Sequence, residues 1–187
     1  MNTKKKLIAL LAIATLVSIV NASVFVYYPI NITITPKQPP IVFVGGDNAN
    51  QRDLWGNTIT VNIGDSGTSL AIEVHPTLRR NYYYDIARIK NNDISNTYYI
   101  KFRVTQAITD NRVNEAYLII SDSGTQYINL KIGDLQPGEW ISLGASGELR
   151  VDLYIVLSGY DGSSISVRVD LIYSTTDTET PPELPST

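Results

Sequence analysis

Apolar residues recur at every second position over much of this chain, and this period constrains the fold more than any other feature. The longest case is Leu149, Val151, Leu153, Ile155 and Leu157, with mostly polar residues between them. A period of two places alternate side chains on opposite faces of a β-strand, whereas a helix repeats every 3.6 residues. Val, Ile, Thr and Tyr, which strands favour, supply most of these positions. The sequence therefore predicts an all-β fold.

Further short strands are predicted between turn signals along the middle of the chain. They cover residues 58–63, 70–74, 100–104, 116–120, 128–132 and 139–143, with Ile100, Phe102, Val104, Ile128, Leu130 and Ile132 facing the core. Residues 82–90 fit either a strand or a helical turn. Gly, Pro, Asp and Ser separate the strands. This pattern predicts an antiparallel two-sheet β-sandwich of the jelly-roll or immunoglobulin-like kind over residues 41–173.

A hairpin is predicted between residues 149 and 173, because a loop rich in glycine and polar residues separates the last two strands. Charge selects its register. With odd-numbered residues facing the core, one register sets Arg150 opposite Asp170 and Asp152 opposite Arg168. Sliding by two residues brings like charges together, which costs roughly 0.2 to 1 kcal/mol. The register that pairs opposite charges is therefore predicted, with all four side chains pointing outward.

The N-terminus is typical of a secretory signal peptide. Lysines at positions 4 to 6 precede an apolar run at residues 7–20, and small residues follow. Cleavage is predicted after Ala22, which makes residues 1–22 the signal peptide and sends the mature chain outside the cell or to its surface. A bilayer-spanning helix needs about 20 apolar residues. This run is shorter and contains hydroxyl residues, so a stable membrane anchor is not predicted.

Charge and composition argue against several functional classes. Loss of the three lysines would change the net charge from −3 to −6. The chain has no basic run or face, so nucleic acid is not an expected partner. It also has no cysteine, so packing rather than disulfides must stabilise the secreted domain. No residue pattern indicates a cofactor, and we expect neither a cofactor nor an enzymatic activity.

The predicted mature chain begins with an apolar strand at residues 23–35, in which Ile30, Ile32 and Ile34 alternate with polar residues. The proline-rich residues 36–40 follow as a spacer that favours an extended conformation of roughly 15 Å. Such a strand suits pairing with the sheet edge of another subunit, because main-chain hydrogen bonds supply affinity and alternate side chains fill pockets. Repeated head to tail, this contact would build a filament. The alternative is a first strand of the chain's own sandwich.

Three segments resemble a known family: VFVYYPINITI, YYYDIARIKNNDISNTYYIKFRV and LQPGEWISL. Over residues 24–173 the chain is similar to the secreted β-sandwich subunits of archaeal extracellular filaments, the threads and bundling pili, which are related in fold to the bacterial biofilm fibre protein TasA. In that family the N-terminal strand completes the sandwich of a neighbouring subunit. The resemblance implies a donor strand whose apolar residues are Val24, Phe25, Val26, Tyr27, Tyr28, Ile30, Ile32 and Ile34.

Candidate catalytic and metal-binding residues are few. The Gly-Asp-Ser-Gly segment around Ser66 is similar to the nucleophile segment of chymotrypsin-like proteases, but those proteases place the histidine before the serine and His75 comes after it. A plain turn is predicted. Zinc sites draw on several His or Cys ligands, and His75 is the only one in the chain. Four loop residues could offer oxygen ligands to calcium, although solvation of the loop is preferred: Asp47, Asn48, Asn50 and Asp53.

Aromatic residues and one glycosylation sequon complete the candidates. Tyrosines at residues 82–84 and 98–99, with Trp55 and Trp140, fit either a sugar-binding platform or packing in the core and at interfaces, and packing is the more common role. Asn31-Ile32-Thr33 is the sequon that remains after removal of the predicted signal. Alternation places Asn31 on the solvent side of the donor strand.

The sequence thus predicts a structural protein that polymerises outside the cell through strand exchange between identical copies, with bundling of filaments as a further contact. Two alternatives stay open. One is a type IV-like pilin that keeps its apolar N-terminal helix and polymerises through it. The other is a monomeric carbohydrate-binding β-sandwich. Residues 174–187, which are rich in Thr, Pro, Asp and Glu, are predicted to form a disordered tail.

Overall fold

A computed structural model of the chain describes residues 2–18, 26–121, 124–136 and 139–182. The chain divides into two units, Met1–Pro36 and Lys37–Thr187. The boundary falls at the start of the predicted proline-rich spacer.

The first unit contains one described helix, α1 (Thr3–Ser18). Leucine and alanine, both strong helix formers, dominate it, and neither proline nor glycine interrupts it. Residues 26–36 contain neither helix nor strand. The predicted cleavage point after Ala22 lies outside the described residues. Within the described part of the chain, no helix has the length and apolar content that a bilayer crossing requires.

The regular elements of the second unit are almost all β-strands. In chain order these are β1 (Ile41–Gly45), β2 (Thr60–Gly64), β3 (Ser69–Glu73), β4 (Arg79–Asn91), β5 (Tyr98–Gln106), β6 (Val113–Ser121), β7 (Thr125–Asn129), β8 (Asp134–Leu135), β9 (Ile141–Leu143), β10 (Glu148–Leu157) and β11 (Arg168–Ser174). Two short 3₁₀ turns lie at Leu54–Gly56 and Asp65–Gly67. The predicted all-β class is confirmed, and the ambiguous residues 82–90 belong to β4.

These strands form three antiparallel sheets. The first has five strands in the order β1-β4-β10-β6-β7. The second has β5 at its centre, with β11 along one edge. Along the other edge β8 pairs with Arg103 and Val104, and β9 pairs with residues 98–100. The third is the hairpin β2-β3, which closes through the predicted turn at Asp65–Gly67.

One core cluster collects buried side chains from all three sheets. Ile89 and Val151 come from the five-stranded sheet, Phe102 and Val104 from the second sheet, and Val61 from the hairpin. The alternation predicted for β5 is confirmed, because its alternate residues Ile100, Phe102 and Val104 are all buried. In β10 the odd-numbered apolar residues also face this core. Period-two patterning thus identified the inward faces of these strands.

The predicted hairpin between the last two strands is wrong. β10 is a central strand that pairs with β4 on one side and β6 on the other, whereas β11 belongs to the second sheet and pairs with β5. Ten residues, 158–167, separate the two strands. Both neighbours of β10 supply apolar partners to the core face, and this non-local packing outweighs the local connection.

Both predicted charge pairs, Arg150 with Asp170 and Asp152 with Arg168, are wrong. Asp170 lies opposite Arg103 on β5 rather than opposite Arg150. Arg150 lies opposite Arg88 on β4, a pair of like charges. Carboxylates beside each arginine compensate that repulsion, because Asp85 binds Arg88 and Asp152 binds Arg150.

Other predictions fail in their details. Ile132 is exposed rather than inward, because β7 ends at Asn129 and a turn follows. β11 begins at Arg168, so Ile165 precedes the strand. After Ser174 the described tail has no regular structure, but Pro181 is half-buried and lines a cavity with Trp140 on the outer face of the second sheet. The tail beyond residue 182 lies outside the described residues.

Candidate functional site

The predicted donor segment exposes large apolar side chains. Val24 and Phe25 lie outside the described residues. The six described members of the predicted set are 65% to 88% exposed: Val26, Tyr27, Tyr28, Ile30, Ile32 and Ile34. Folded monomers rarely leave a contiguous apolar run of this kind in solvent, and such runs mark interaction sites. The segment is thus the most prominent exposed apolar feature of the first unit beside helix α1.

The sequon residue Asn31 is exposed. Its isoleucine neighbours are equally exposed in the single chain, so exposure does not distinguish the two faces of the segment. The segregation of polar residues to one face is a property of the sequence, in which Asn31, Thr33 and Thr35 alternate with the isoleucines.

A second candidate lies on the outer face of the five-stranded sheet, where β4 bulges against β10. Val151 pairs with Ala87 and Leu153 pairs with Tyr83, so three residues of β4 lie opposite the single residue Asp152. Asp85, in the middle of the bulge, has a φ of 47°. Asp tolerates this left-handed conformation better than most residues, and bulges re-aim side chains.

Asp152 is the centre of a buried polar cluster at this bulge. Its side chain is fully buried. It accepts hydrogen bonds from the Asp85 backbone N–H at 2.6 Å, from the Tyr82 hydroxyl at 2.7 Å and from Arg150 Nε at 2.9 Å. The Arg150 guanidinium in turn lies 4.3 Å from the centre of the Tyr84 ring. Burial and the hydrogen bond to Asp152 raise the pKa of Tyr82 to about 12.

A second set of ion pairs extends the cluster to the sheet edge. Arg88 binds both carboxylate oxygens of Asp85, at 2.9 and 2.5 Å, and its Nη2 lies 2.6 Å from Asp47. Its Nη1 lies 3.7 Å from Glu148. Hydrogen bonds from Arg88 hold the pKa of Asp85 below its usual value, and they raise the pKa of Arg88. The charged side chains on this face are therefore mostly paired with one another.

A row of tyrosines crosses the same face, and we call it the tyrosine row: Tyr127, Tyr117, Tyr154 and Tyr82. The rings of Tyr127 and Tyr117 meet edge to face at 6.3 Å, and those of Tyr117 and Tyr154 lie 6.4 Å apart. Tyr154 is paired across the strands with Tyr82. Tyr127 and Tyr82 are more than half exposed. The row places aromatic surface from four adjacent strands, β7, β6, β10 and β4, on one outer face.

The aromatic residues singled out in the sequence do not form one platform. Tyr82 and Tyr84 lie on the outer face, but Tyr83 between them is buried in the core. Tyr98 packs against the core and meets Tyr173 edge to face at 5.9 Å. The Trp140 ring lies 5.3 Å from Lys101 Nζ on the second sheet. The side chain of Trp55 lies outside the described part of the structure.

The structure separates the serine and histidine of the protease-like motif. Ser66 occupies the turn between β2 and β3 with a φ of 58°. His75 comes two residues after the far end of β3. The five residues of β3 alone span roughly 15 Å at the usual rise of a strand. His75 instead donates its backbone N–H to Asp53, at 2.9 Å.

The four loop side chains considered for calcium make hydrogen bonds or ion pairs within the protein. Asp47 pairs with Arg88, and Asn48 donates its side-chain amide to the Tyr84 carbonyl. Asn50 accepts from the Val61 backbone N–H, and Asp53 accepts from Leu54 and His75 backbone N–H groups. Within the described ranges, no group of three or more carboxylate or histidine side chains is placed to hold a metal ion.

Sequence reasoning missed the Asp152 cluster. Alternation correctly assigns Asp152 to the face opposite the core, but it predicts an outward, solvated carboxylate. The bulge in β4 brings the Asp85 N–H and the Tyr82 hydroxyl over this carboxylate, and no local sequence signal marks that bulge. The tyrosine row was missed for a similar reason, because its four members lie on four different strands.

Comparison with known proteins adds no relative. No protein-family model matches the chain, and no curated protein matches it.

Proposed function

We propose that this protein is a secreted structural subunit that polymerises into extracellular filaments or pili by head-to-tail donor-strand complementation. The observation that carries the proposal is the exposed segment with Ile30, Ile32 and Ile34, which are 82%, 78% and 83% exposed. Their alternation with Asn31 and Thr33 is the pattern of a strand that buries one face. The partner is a neighbouring copy of the same chain.

The free energy of burying apolar side chains favours a binding partner for this segment. Burying one isoleucine side chain contributes roughly 1.5 to 3 kcal/mol, and Ile30, Ile32 and Ile34 leave most of that contribution unused in the single chain. Strand addition would also give the segment's backbone N–H and C=O groups hydrogen-bond partners. A head-to-tail contact of this type does not close on itself, so it propagates into a fibre.

The acceptor in this proposal is an antiparallel two-sheet sandwich of the jelly-roll or immunoglobulin-like kind. We take the five-stranded sheet and the sheet around β5 as its two layers, because both contribute to one core cluster. Residues 23–35 are the donor strand and residues 36–40 the spacer. The basic and apolar N-terminus supports export, and the likeness to archaeal thread and bundling-pilus subunits supports a filament. Bundling between filaments is a further contact in this proposal.

Deletion of residues 23–35, with the export signal retained, tests the proposed function. We expect a folded, secreted chain that remains monomeric, because the acceptor sheet is intact and the donor is absent. The measurement is electron microscopy of secreted material together with circular dichroism of the purified chain. Filaments that persist in the truncated protein would contradict donor-strand assembly and would favour the pilin alternative, in which polymerisation depends on α1.

A second candidate function is carbohydrate binding by the tyrosine row. The row offers aromatic surface that can stack on sugar rings, and the neighbouring charges are mostly neutralised in pairs such as Arg150–Asp152 and Arg88–Asp85. An aromatic face among compensated charges suits a neutral glycan better than a charged ligand. The observation that favours this function is the continuity of the row from Tyr127 to Tyr82.

Substitution of the half-buried row member Tyr117 by alanine tests this candidate. We expect loss of binding to neutral oligosaccharides, because this ring contacts both Tyr127 and Tyr154. Tyr160→Ala is the matched control, since Tyr160 lies in a loop and is 82% exposed. Isothermal titration of both variants and the unsubstituted chain gives the affinities. An unsubstituted chain that binds no glycan, or equal losses in both variants, would rule the candidate out.

A further inference from the structure

The outer edge of β11 is unpaired. Among the described strands, β11 pairs with β5 alone. As far as the structure describes it, the chain after Ser174 does not return along this edge, because residues 177–181 line a cavity with Lys101, Leu135 and Trp140 on the outer face of the sheet. At any level the second sheet is three strands wide, whereas the first sheet has five strands. The second sheet is therefore narrower than the first, and β11 forms one of its edges.

The core-facing side of β11 is incompletely covered. Val169 and Leu171 lie opposite Val104 and Phe102 of β5 and pack against the core, yet both remain half-buried. The same face continues with Tyr173, which lies opposite Ile100 and is 41% exposed. Val169, Leu171 and Tyr173 form an apolar stripe with a period of two, and we call it the β11 stripe.

We propose that the donor segment of a neighbouring copy pairs with the free edge of β11 and covers the β11 stripe. This inference rests on the proposed function and names its acceptor edge. The donor offers apolar residues at the same period, enough to cover the three residues of the β11 stripe: Val26, Tyr28, Ile30, Ile32 and Ile34. Strands added to a sheet keep this period, so both stripes face the same core.

The proline of the donor fits addition at an outer edge. Pro29 has no backbone N–H, and proline in sheets is confined to positions where that group would face away from the ladder. In a strand, alternate residues direct their backbone groups to opposite edges. If the backbone of Pro29 faces solvent, the backbone groups of the even-numbered residues face β11. Ile30 and Ile32 are among these residues.

The other free edges fit the donor less well. On β7 the core-facing residue Ile128 is already 2% exposed. On β1 Ile41 is 5% exposed and Phe43 alone is half-buried, so both edges have less apolar surface left to cover than β11. On β3 only Leu70 and Ile72 are half-buried, in a strand of five residues. β3 is the rival edge, and its two half-buried residues make a shorter stripe than the three of β11.

Cysteine pairs can identify the acceptor edge directly, because the natural chain contains no cysteine. Thr33→Cys places a thiol on the polar face of the donor. In separate variants it is combined with Asp170→Cys or Ile172→Cys on the outer face of β11, or with Ala71→Cys on β3 as the matched control. Residues directly opposite in paired strands lie within disulfide distance. After mild oxidation of assembled protein, non-reducing electrophoresis reports covalent multimers.

We expect a ladder of multimers from one of the β11 pairs and only single chains from the β3 pair. Filaments that form with a ladder from the Ala71→Cys pair, or with no ladder from either β11 pair, would overturn β11 as the acceptor while leaving donor-strand assembly in place. Failure of the unsubstituted chain to form filaments would instead overturn the proposed function. The two failures are therefore distinguishable.

Discussion

Replacing Ile30, Ile32 and Ile34 together by serine is expected to raise the concentration needed for assembly by at least about 1,000-fold. Burial of each isoleucine contributes roughly 1.5 to 3 kcal/mol, and each 1.4 kcal/mol changes an equilibrium constant about tenfold. The three side chains are 78% to 83% exposed in the single chain. In the proposed assembly, pairing with another copy buries them. Sedimentation across a range of protein concentrations measures the effect.

The polar face of the same segment provides the control. Thr33→Ser combined with Thr35→Lys retains the glycosylation sequon and alters only residues that alternate with the isoleucines. We expect assembly close to that of the unsubstituted chain, because this face points away from the core of the acceptor. Equal loss of assembly in both variants would show that the alternation of apolar and polar residues has no role. Unchanged assembly of the serine variant would show that the three isoleucines do not contribute to assembly.

Asp152→Ala is expected to lower the free energy of unfolding by about 3 kcal/mol. The substitution leaves the Asp85 backbone N–H in the bulge without its 2.6 Å acceptor, and it removes the charge that binds Arg150. Unpartnered buried donors and broken buried ion pairs are both costly. The estimate is at the low end for such pairs because the Arg150 side chain remains 33% exposed. Urea unfolding of the unassembled chain gives the value.

Asp170→Ala is the matched control for this effect. Asp170 also alternates with core residues on a strand and lies opposite an arginine, Arg103, but it is not fully buried. Exposed pairs of this kind contribute about 0 to 1 kcal/mol, so we expect a loss of less than about 1 kcal/mol. The near-isosteric Asp152→Asn should fall between the two. A loss for Asp170→Ala as large as for Asp152→Ala would contradict the role assigned to the buried cluster.

The pairing of strands could not be read from the sequence. The hairpin between the last two strands was predicted from local loop composition and charge, yet β10 pairs with β4 and β6 and β11 pairs with β5. Each of these partners lies far away along the chain. Loop composition reports the conformations open to residues close together in the chain. Strand pairing depends instead on how side chains from distant segments pack in the core.

The polar cluster illustrates the same limit at the level of one residue. Alternation placed Asp152 on the correct face of β10. Its full burial depends on three residues of β4 lying opposite it and on Tyr82 reaching over it. The sequence alone does not show whether a carboxylate accepts its hydrogen bonds from water or from protein donors.

What the sequence determined by itself was the strand class and the inward face of most strands, as for Phe102 and Val104, because a period of two is set by the geometry of a single strand. It also shows the alternation of apolar and polar residues around Ile32, from which a donor strand is predicted. Only the tertiary structure decided that β11 has an open edge, that Arg150 lies opposite Arg88, and that tyrosines from four strands form one row. Those features are contacts between distant parts of the chain, and they exist only after the sheets have packed.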